Sequence, residues 1–281
     1  MQTLISAPEL AALLAAPARC VLLDCGFDLA DTTAGERAYA AGHLPGAQYA
    51  HLERELSGPK AAAGQPSRGR HPLPERSLLA ATAGRWGIAP GVQVVVYDAQ
   101  GGPYAARAWW LLQWLGHTEV AVLDGGPAAW LAVGGTLDNR VPSTDAQPPY
   151  PAAPPALPTI TTADLLAGLG HVSLLDARAP ERFRGEVEAL DPVAGHIPGA
   201  RNRFFKHNLQ ADGRFKPAAE LRTDFAALLA AGQPVVQQCG SGVTACHNLL
   251  AMAHAGLGVS QLYPGSWSEW CSNPERPVAR G

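Results

Sequence analysis

Four sequence landmarks occur twice in this chain, in the same order, and this duplication constrains its fold more than any other feature. Leu22-Leu23-Asp24 returns as Leu174-Leu175-Asp176. Ala41-Gly42-His43-Leu44-Pro45-Gly46-Ala47 returns as Ala194-Gly195-His196-Ile197-Pro198-Gly199-Ala200. Val94-Val95-Val96-Tyr97-Asp98 aligns with the run that ends at Cys239, and Gly125-Gly126-Pro127-Ala128-Ala129-Trp130 is echoed by Gly265-Ser266-Trp267-Ser268-Glu269-Trp270. The period is well above that of solenoid repeats, so each copy is expected to be a complete domain rather than a stacking unit. The 281 residues offer room for about two domains at roughly 100–200 residues each.

Residues 138–158 separate the copies and contain seven prolines. That density forbids helix and central strand and favours a stiff, extended connection. The expected organisation is therefore a domain over 1–137, a linker over 138–158 and a domain over 159–281. Within the first copy, Cys20–Leu23, Val92–Tyr97 and Val120–Leu123 read as strands, and Pro8–Ala15 and Ala105–Trp114 as helices. Within the second, Val172–Leu175, Val235–Gln238 and Gln261–Tyr263 read as strands. Ala163–Gly168, Ala218–Ala231 and Thr244–Ala255 read as helices. Short apolar strands alternating with helices imply an α/β fold with a parallel sheet covered on both faces.

Composition removes several function classes. A formal net charge of −3 with 16% charged residues gives no electrostatic footprint for nucleic acid. Five cysteines are odd in number and sparse, which argues against a disulfide framework and fits a reducing compartment. Cys20, Cys25, Cys246 and Cys271 show no metal-ligand spacing. The N-terminus lacks a basic segment, Glu9 interrupts its apolar run, and no apolar run reaches the length of a membrane span. The expectation is a cytoplasmic protein with no membrane or nucleic-acid partner.

The chemistry concentrates in Cys239-Gly240-Ser241-Gly242-Val243-Thr244, between a predicted strand and a predicted helix. In parallel sheets the reactive loop lies beyond the carboxyl end of a strand. Converging N–H groups and a helix N-terminus stabilise a thiolate there. Gly240 and Gly242 let the backbone curl around the sulfur. Thr244 has two readings: a hydroxyl donor to the sulfur, or a helix cap. A cysteine phosphatase would share the cradle but needs an arginine at the sixth position after the cysteine. Ala245 stands there, so the bidentate clamp on phosphate is missing.

These residues together resemble the tandem-domain rhodanese family of sulfurtransferases: the doubled Leu-Leu-Asp runs, the doubled Gly-His-(Leu/Ile)-Pro-Gly-Ala motifs, the six-residue loop and the closing Pro264-Gly265-Ser266-Trp267-Ser268-Glu269-Trp270. The resemblance covers nearly the whole chain. It implies two tandem rhodanese-like domains, each a parallel sheet flanked by helices, with the active site at their interface and a nucleophile in one only. Asp98 occupies the position equivalent to Cys239, and a carboxylate cannot carry a sulfane sulfur. The first half is therefore expected to be catalytically silent.

The resemblance further implies that Cys239 takes sulfur from a small donor, becomes a persulfide and passes the sulfur to a thiol or to cyanide. A thioredoxin-like protein or a small thiol would serve as acceptor, and no metal or organic cofactor is implied. The uncharged loop is similar to that of the mercaptopyruvate group, whereas thiosulfate-preferring members carry basic residues after the cysteine. In that group a serine, a histidine and an acid form a relay; Ser241, His71 and Glu53 fit those positions. Arg182 matches the substrate-binding arginine, alongside the backbone of Gly240, Gly242, Val243 and Thr244. A second arginine of the group is missing, because 186–191 reads Glu-Val-Glu-Ala-Leu-Asp. Arg201, Arg203 and Lys206 are candidates to replace it. The expected donor is 3-mercaptopyruvate, with thiosulfate, or a non-catalytic persulfide relay, as alternatives. His43 and His196 recur in both halves, silent one included, and are expected to be structural, as are Asp24, Asp176 and the tryptophans.

Overall fold

The computed structural model describes residues 3–17, 19–151 and 153–281. The chain forms two compact units. Unit 1 gathers the described residues of 1–57, 74–156 and 210–215; unit 2 gathers 58–73, 157–209 and 216–281.

Unit 1 contains β1 (Leu4–Ile5), α1 (Ala7–Ala15), β2 (Cys20–Asp24), α2 (Ala34–Ala41), β3 (Gln48–Tyr49), α3 (Arg76–Arg85), β4 (Gln93–Tyr97), α4 (Pro103–Leu115), β5 (Val120–Leu123) and α5 (Gly126–Ala132). Its five strands run parallel in the order β1-β5-β4-β2-β3. The apolar strands are buried along their length because helices cover a parallel sheet. α4 is apolar nearly all round, and all of its residues but Tyr104 are buried. The proline-rich 138–158 segment runs without helix along α3, where Tyr150 N–H donates to Ala80 O at 2.9 Å.

Unit 2 contains α6 (Thr162–Ala167), β6 (Ser173–Asp176), α7 (Pro180–Arg184), β7 (Arg201–Asn202), α8 (Ala218–Ala226), β8 (Val235–Gln238), α9 (Ala245–His254), β9 (Gln261–Leu262) and α10 (Ser266–Trp270). Its sheet is parallel in the order β7-β6-β8-β9. Trp267 and Trp270 are fully buried in its core with Leu174, Val236 and Tyr263. Connections leave β6 toward one edge of the sheet and β8 toward the other. The carboxyl ends of these neighbouring strands thus form a switch point, where ligands gather in open α/β sheets.

The duplicated motifs do matching structural work. His43 stacks on Tyr39 at 3.9 Å and shares a hydrogen bond with Tyr39 O. His196 stacks on Phe183 at 3.8 Å and shares one with Phe183 O. Each also closes an antiparallel bridge to the end of its own copy, His43 to Asp138 and His196 to Ala279. Asp24 accepts the Gly26 N–H and Asp176 the Arg178 N–H, so both aspartates fix the chain after a strand.

The strands Val120–Leu123 and Val235–Gln238 coincide with their predicted limits. The helix expected over 218–231 ends at Ala226, where Leu228 and Leu229 turn back to acceptors three residues behind them. The strand expected over Gln261–Tyr263 is present as Gln261–Leu262, while the two-residue strands β1, β3 and β7 and the five-residue helices α7 and α10 are too short for periodicity to announce.

Candidate active site

Cys239 is the residue after β8, and its backbone is held on both sides. Its N–H donates to Ser266 Oγ at 3.1 Å, and its carbonyl accepts the Trp267 N–H at 3.0 Å. Gly240 O accepts the Ser268 N–H at 2.9 Å. The closing motif therefore fixes the loop. Ser266 performs this at a φ of 52°, the left-handed region, with its hydroxyl donating to Tyr263 O. Gly126, its counterpart in the other copy, has a φ of 55°. At Gly242, φ is 75°, and a Cβ would lie 2.5 Å from Pro264 O, so the turn requires glycine. Thr244 holds the N-cap of α9 without a side-chain capping bond.

The first copy shows what such a turn holds. Asp98 follows β4, and its carboxylate accepts the N–H groups of Gln100, Gly102, Tyr104 and Ala105 at 2.8–2.9 Å. The same offsets from Cys239 fall on Ser241, Val243, Ala245 and Cys246. Cys246 N–H bonds Val243 O, while the other three N–H groups have no acceptor among the described residues. A turn that binds a carboxylate in one copy leaves N–H groups at the same offsets in the other, a donor arrangement suited to an anion.

Ser241 Oγ and His71 Nδ1 share a hydrogen bond of 2.7 Å, both side chains being buried. His71 reaches this place because residues 58–73 fold with unit 2. Glu53 lies in unit 1, in the turn after β3, where its N–H donates to His51 Nδ1.

Arg182 stands in the middle of α7 and Arg70 immediately before His71. A Cβ placed on Gly240 would lie 3.1 Å from Arg70 Nη2 and 3.5 Å from Arg182 Nη1. Two guanidinium edges thus converge beside Cys239. Arg70 is a second cation beside Gly240, which sequence reasoning passed over although it adjoins His71. Its signal was that adjacency, hidden because the partner segment lies about 120 positions away. Arg203 is instead committed to Asn208 and Asp224, Arg201 reaches Ala227 O, and Lys206 is exposed. Arg184 pairs with Glu186 at the surface.

Behind the pair runs an alternating chain of charge. Arg70 contacts Asp191 at 2.7 Å; Arg182 contacts Asp191 at 3.2 Å and Glu188 at 2.7 Å. Arg178 contacts Glu188 at 3.7 Å and Asp176 at 2.7 Å. Burial works against the charge of Arg178, but Asp176, Glu188 and Cys239 together hold it above the ordinary arginine value. Burial pushes the Asp191 carboxyl up, against the pull of Arg70 and Arg182. Three buried donor atoms, Arg70 Nε, Arg178 Nη1 and Arg182 Nε, have no acceptor. An anion arriving beside Gly240 meets Arg70 Nη2 and Arg182 Nη1.

Cys246 is buried, its thiol donating to Gly242 O at 3.3 Å. Among the described residues no cluster has the composition of a metal site, and no helix is long and apolar enough to cross a membrane.

Comparison with known proteins gives a consistent picture. The rhodanese-like domain profile matches residues 6–133 and again 161–273. A probable 3-mercaptopyruvate sulfurtransferase of Pseudomonas aeruginosa is 51% identical, over 99% of this chain and 98% of its own. A putative thiosulfate sulfurtransferase, SseB, of Mycobacterium tuberculosis is 44% identical over 100% of this chain and 98% of its own. Among solved structures, 3-mercaptopyruvate sulfurtransferase from Leishmania major superposes with a TM-score of 0.85 at 30% identity, covering 99% of this chain and 76% of that one.

Proposed function

The chain belongs to the rhodanese family as a tandem-domain sulfurtransferase, and from that premise we propose that it moves sulfur from 3-mercaptopyruvate to a thiol or cyanide through a persulfide on Cys239. The observation that carries this reading is the convergence of Arg70 and Arg182 beside Gly240, next to a cysteine whose turn presents unfilled N–H donors.

In the first half-reaction the Cys239 thiolate attacks the donor's sulfur. An S–S bond forms, the donor's C–S bond breaks, and its electron pair leaves as the enolate of pyruvate. The proton from the donor's thiol ends on the enolate carbon, giving pyruvate and a persulfide anion. Arg182 and Arg70 hold the donor's carboxylate, for which a guanidinium fork is suited. The N–H groups over 240–244, with glycine at 240 and 242, hold the terminal sulfur, with Val243 and Thr244 at the mouth of α9. Ser241 and His71, whose side chains share a 2.7 Å hydrogen bond, carry the proton. In the second half-reaction an acceptor thiolate, on a small thiol or a thioredoxin-like protein, or cyanide attacks the terminal sulfur and frees Cys239.

The test is steady-state transfer from 3-mercaptopyruvate and from thiosulfate to cyanide and to a dithiol, with mass spectrometry of the donor-loaded protein. The expected outcome is a higher kcat/KM with 3-mercaptopyruvate and a mass gain of one sulfur atom. Both are lost in Cys239→Ser. Thiosulfate is the second reading, favoured by the name of the mycobacterial relative. A wild-type protein that turns over neither donor would overturn both.

A further inference from the structure

We propose that Glu188 and Asp191 are the specificity-determining residues of the donor pocket: they neutralise its arginines, so that it takes a monocarboxylate donor in preference to a compact dianion. This inference rests on the sulfurtransferase reading of the same site and names the charge class of its donor.

The arrangement is asymmetric in a way that ordinary ion pairing does not require. Asp191 and Glu188 expose 3% and 4% of their side chains, while Arg70 and Arg182 expose 20% and 21%. The acids lie on the buried side and the arginines face outward. Arg182 gives all three of its carboxylate bonds, two to Glu188 and one to Asp191, through Nη2, and Arg70 reaches Asp191 and Leu190 O through Nη1. Arg70 Nη2 and Arg182 Nη1, which bond neither acid, lie nearest a Cβ on Gly240 at 3.1 and 3.5 Å, with Arg182 Nη2 next at 3.8 Å. The acids therefore fix the rotation of both forks and spend one edge of each, leaving the other edge for the ligand.

They also cancel charge. Arg70, Arg178 and Arg182 are matched by Asp176, Glu188 and Asp191, so the cluster beside the thiolate is neutral. A neutral cluster with directed N–H donors binds one carboxylate by hydrogen bonds. It offers no surplus positive charge to offset the second charge of thiosulfate near the Cys239 thiolate, and the penalty grows with burial. Other acids near these side chains, Glu186 and Glu181, lie outside this chain of contacts; Glu186 is spent on exposed Arg184.

The experiment compares the full-length wild type with Asp191→Asn, Glu188→Gln and the double variant. Each is assayed with both donors and titrated calorimetrically with pyruvate and with sulfate, which need no turnover. We expect the ratio of thiosulfate to mercaptopyruvate kcat/KM to rise on the order of tenfold in Asp191→Asn, chiefly through a lower KM for thiosulfate. The double variant should rise further, with a steeper dependence on ionic strength. Asp191→Glu should restore the wild-type ratio, and Glu186→Gln should leave it unchanged. In the wild type, pyruvate should bind more tightly than sulfate. A ratio that stays within twofold in all three variants, or a wild type that prefers sulfate, overturns the proposal even while transfer through Cys239 stands. If no variant folds, the wild-type titration decides alone. If wild type turns over neither donor but its anion preference reverses in Asp191→Asn, the charge assignment survives and the sulfurtransferase reading falls.

Discussion

Single side chains here are held by what they do for the turn after β8. Ser266 is the clearest case, because a left-handed backbone at a non-glycine residue costs about 1–3 kcal/mol. Its hydroxyl offsets that cost by accepting the otherwise buried Cys239 N–H. Ser266→Gly removes both the strain and the hydrogen bond, while Ser266→Ala removes the bond and keeps the strain. Denaturant unfolding should therefore rank wild type above Gly and Gly above Ala, the reverse of helix propensity at the first residue of α10. An alanine variant more stable than the glycine one would refute this account. His71 yields a second prediction at the same scale. Only the carbon–sulfur donor has a proton to relocate, so His71→Ala should lower kcat with 3-mercaptopyruvate on the order of 100-fold. Thiosulfate turnover should fall far less. An equal loss with both donors would show that His71 acts through Ser241 and the loop rather than on a proton.

Among the elements, α4 shows how a buried helix end can make the fold sensitive to pH. His117 follows α4, fully buried, near Tyr150 and the Glu119 carbonyl. Burial holds its imidazole below the ordinary value of 6.5, with Glu119 opposing. Between the folded value and 6.5 the unfolded chain binds a proton that the folded chain does not. Stability therefore falls as pH drops through that window and is fully present above it. Melting temperature should decline from pH 7.5 to 5.5, and His117→Gln should flatten the slope. A slope identical in the variant would assign the effect elsewhere. The elements also show where sequence reading succeeds. Strands such as β4 and β5 declare themselves, because burial on both faces leaves the apolar runs Val94–Tyr97 and Val120–Leu123. α3 does not: its buried residues, Leu79, Ala80, Thr82, Ala83 and Gly84, are mostly small and give no periodic stripe. The site divides in the same way. Cys239 and Arg182 are legible because motifs carry them, whereas Arg70 and Asp191 are legible only as a pair, and nothing in a linear sequence brings positions 70 and 191 together.

For the whole molecule, the consequential fact is that the compact units are not the halves of the sequence. Residues 58–73 lie before the proline-rich segment yet fold with unit 2, and they bring Arg70 and His71. A fragment spanning 157–281 keeps Cys239, Ser241, Arg182, Glu188 and Asp191 but loses both. Asp191 then faces the pocket with only Arg182 to offset it. The fragment should load Cys239 from 3-mercaptopyruvate at least about 100-fold more slowly than the full chain, measured by alkylation-blocked mass spectrometry. Loading at the full-chain rate would show that residues 58–73 are dispensable.

Asp98 has a consequence for any experiment that counts sites. Its carboxylate fills the first copy's turn and is tethered to it, so its effective concentration there never falls to zero and no dissolved anion can compete it out. A chain with two homologous turns should therefore titrate with a stoichiometry of one. Calorimetry with a persulfide-mimicking anion should find a single saturable site, vanishing when the turn at Cys239 is disrupted. Replacing Asp98 by alanine should expose the second, its occupancy visible as a melting temperature that climbs with chloride or sulfate concentration. The first copy's turn is a receptor that its own tethered carboxylate keeps permanently saturated.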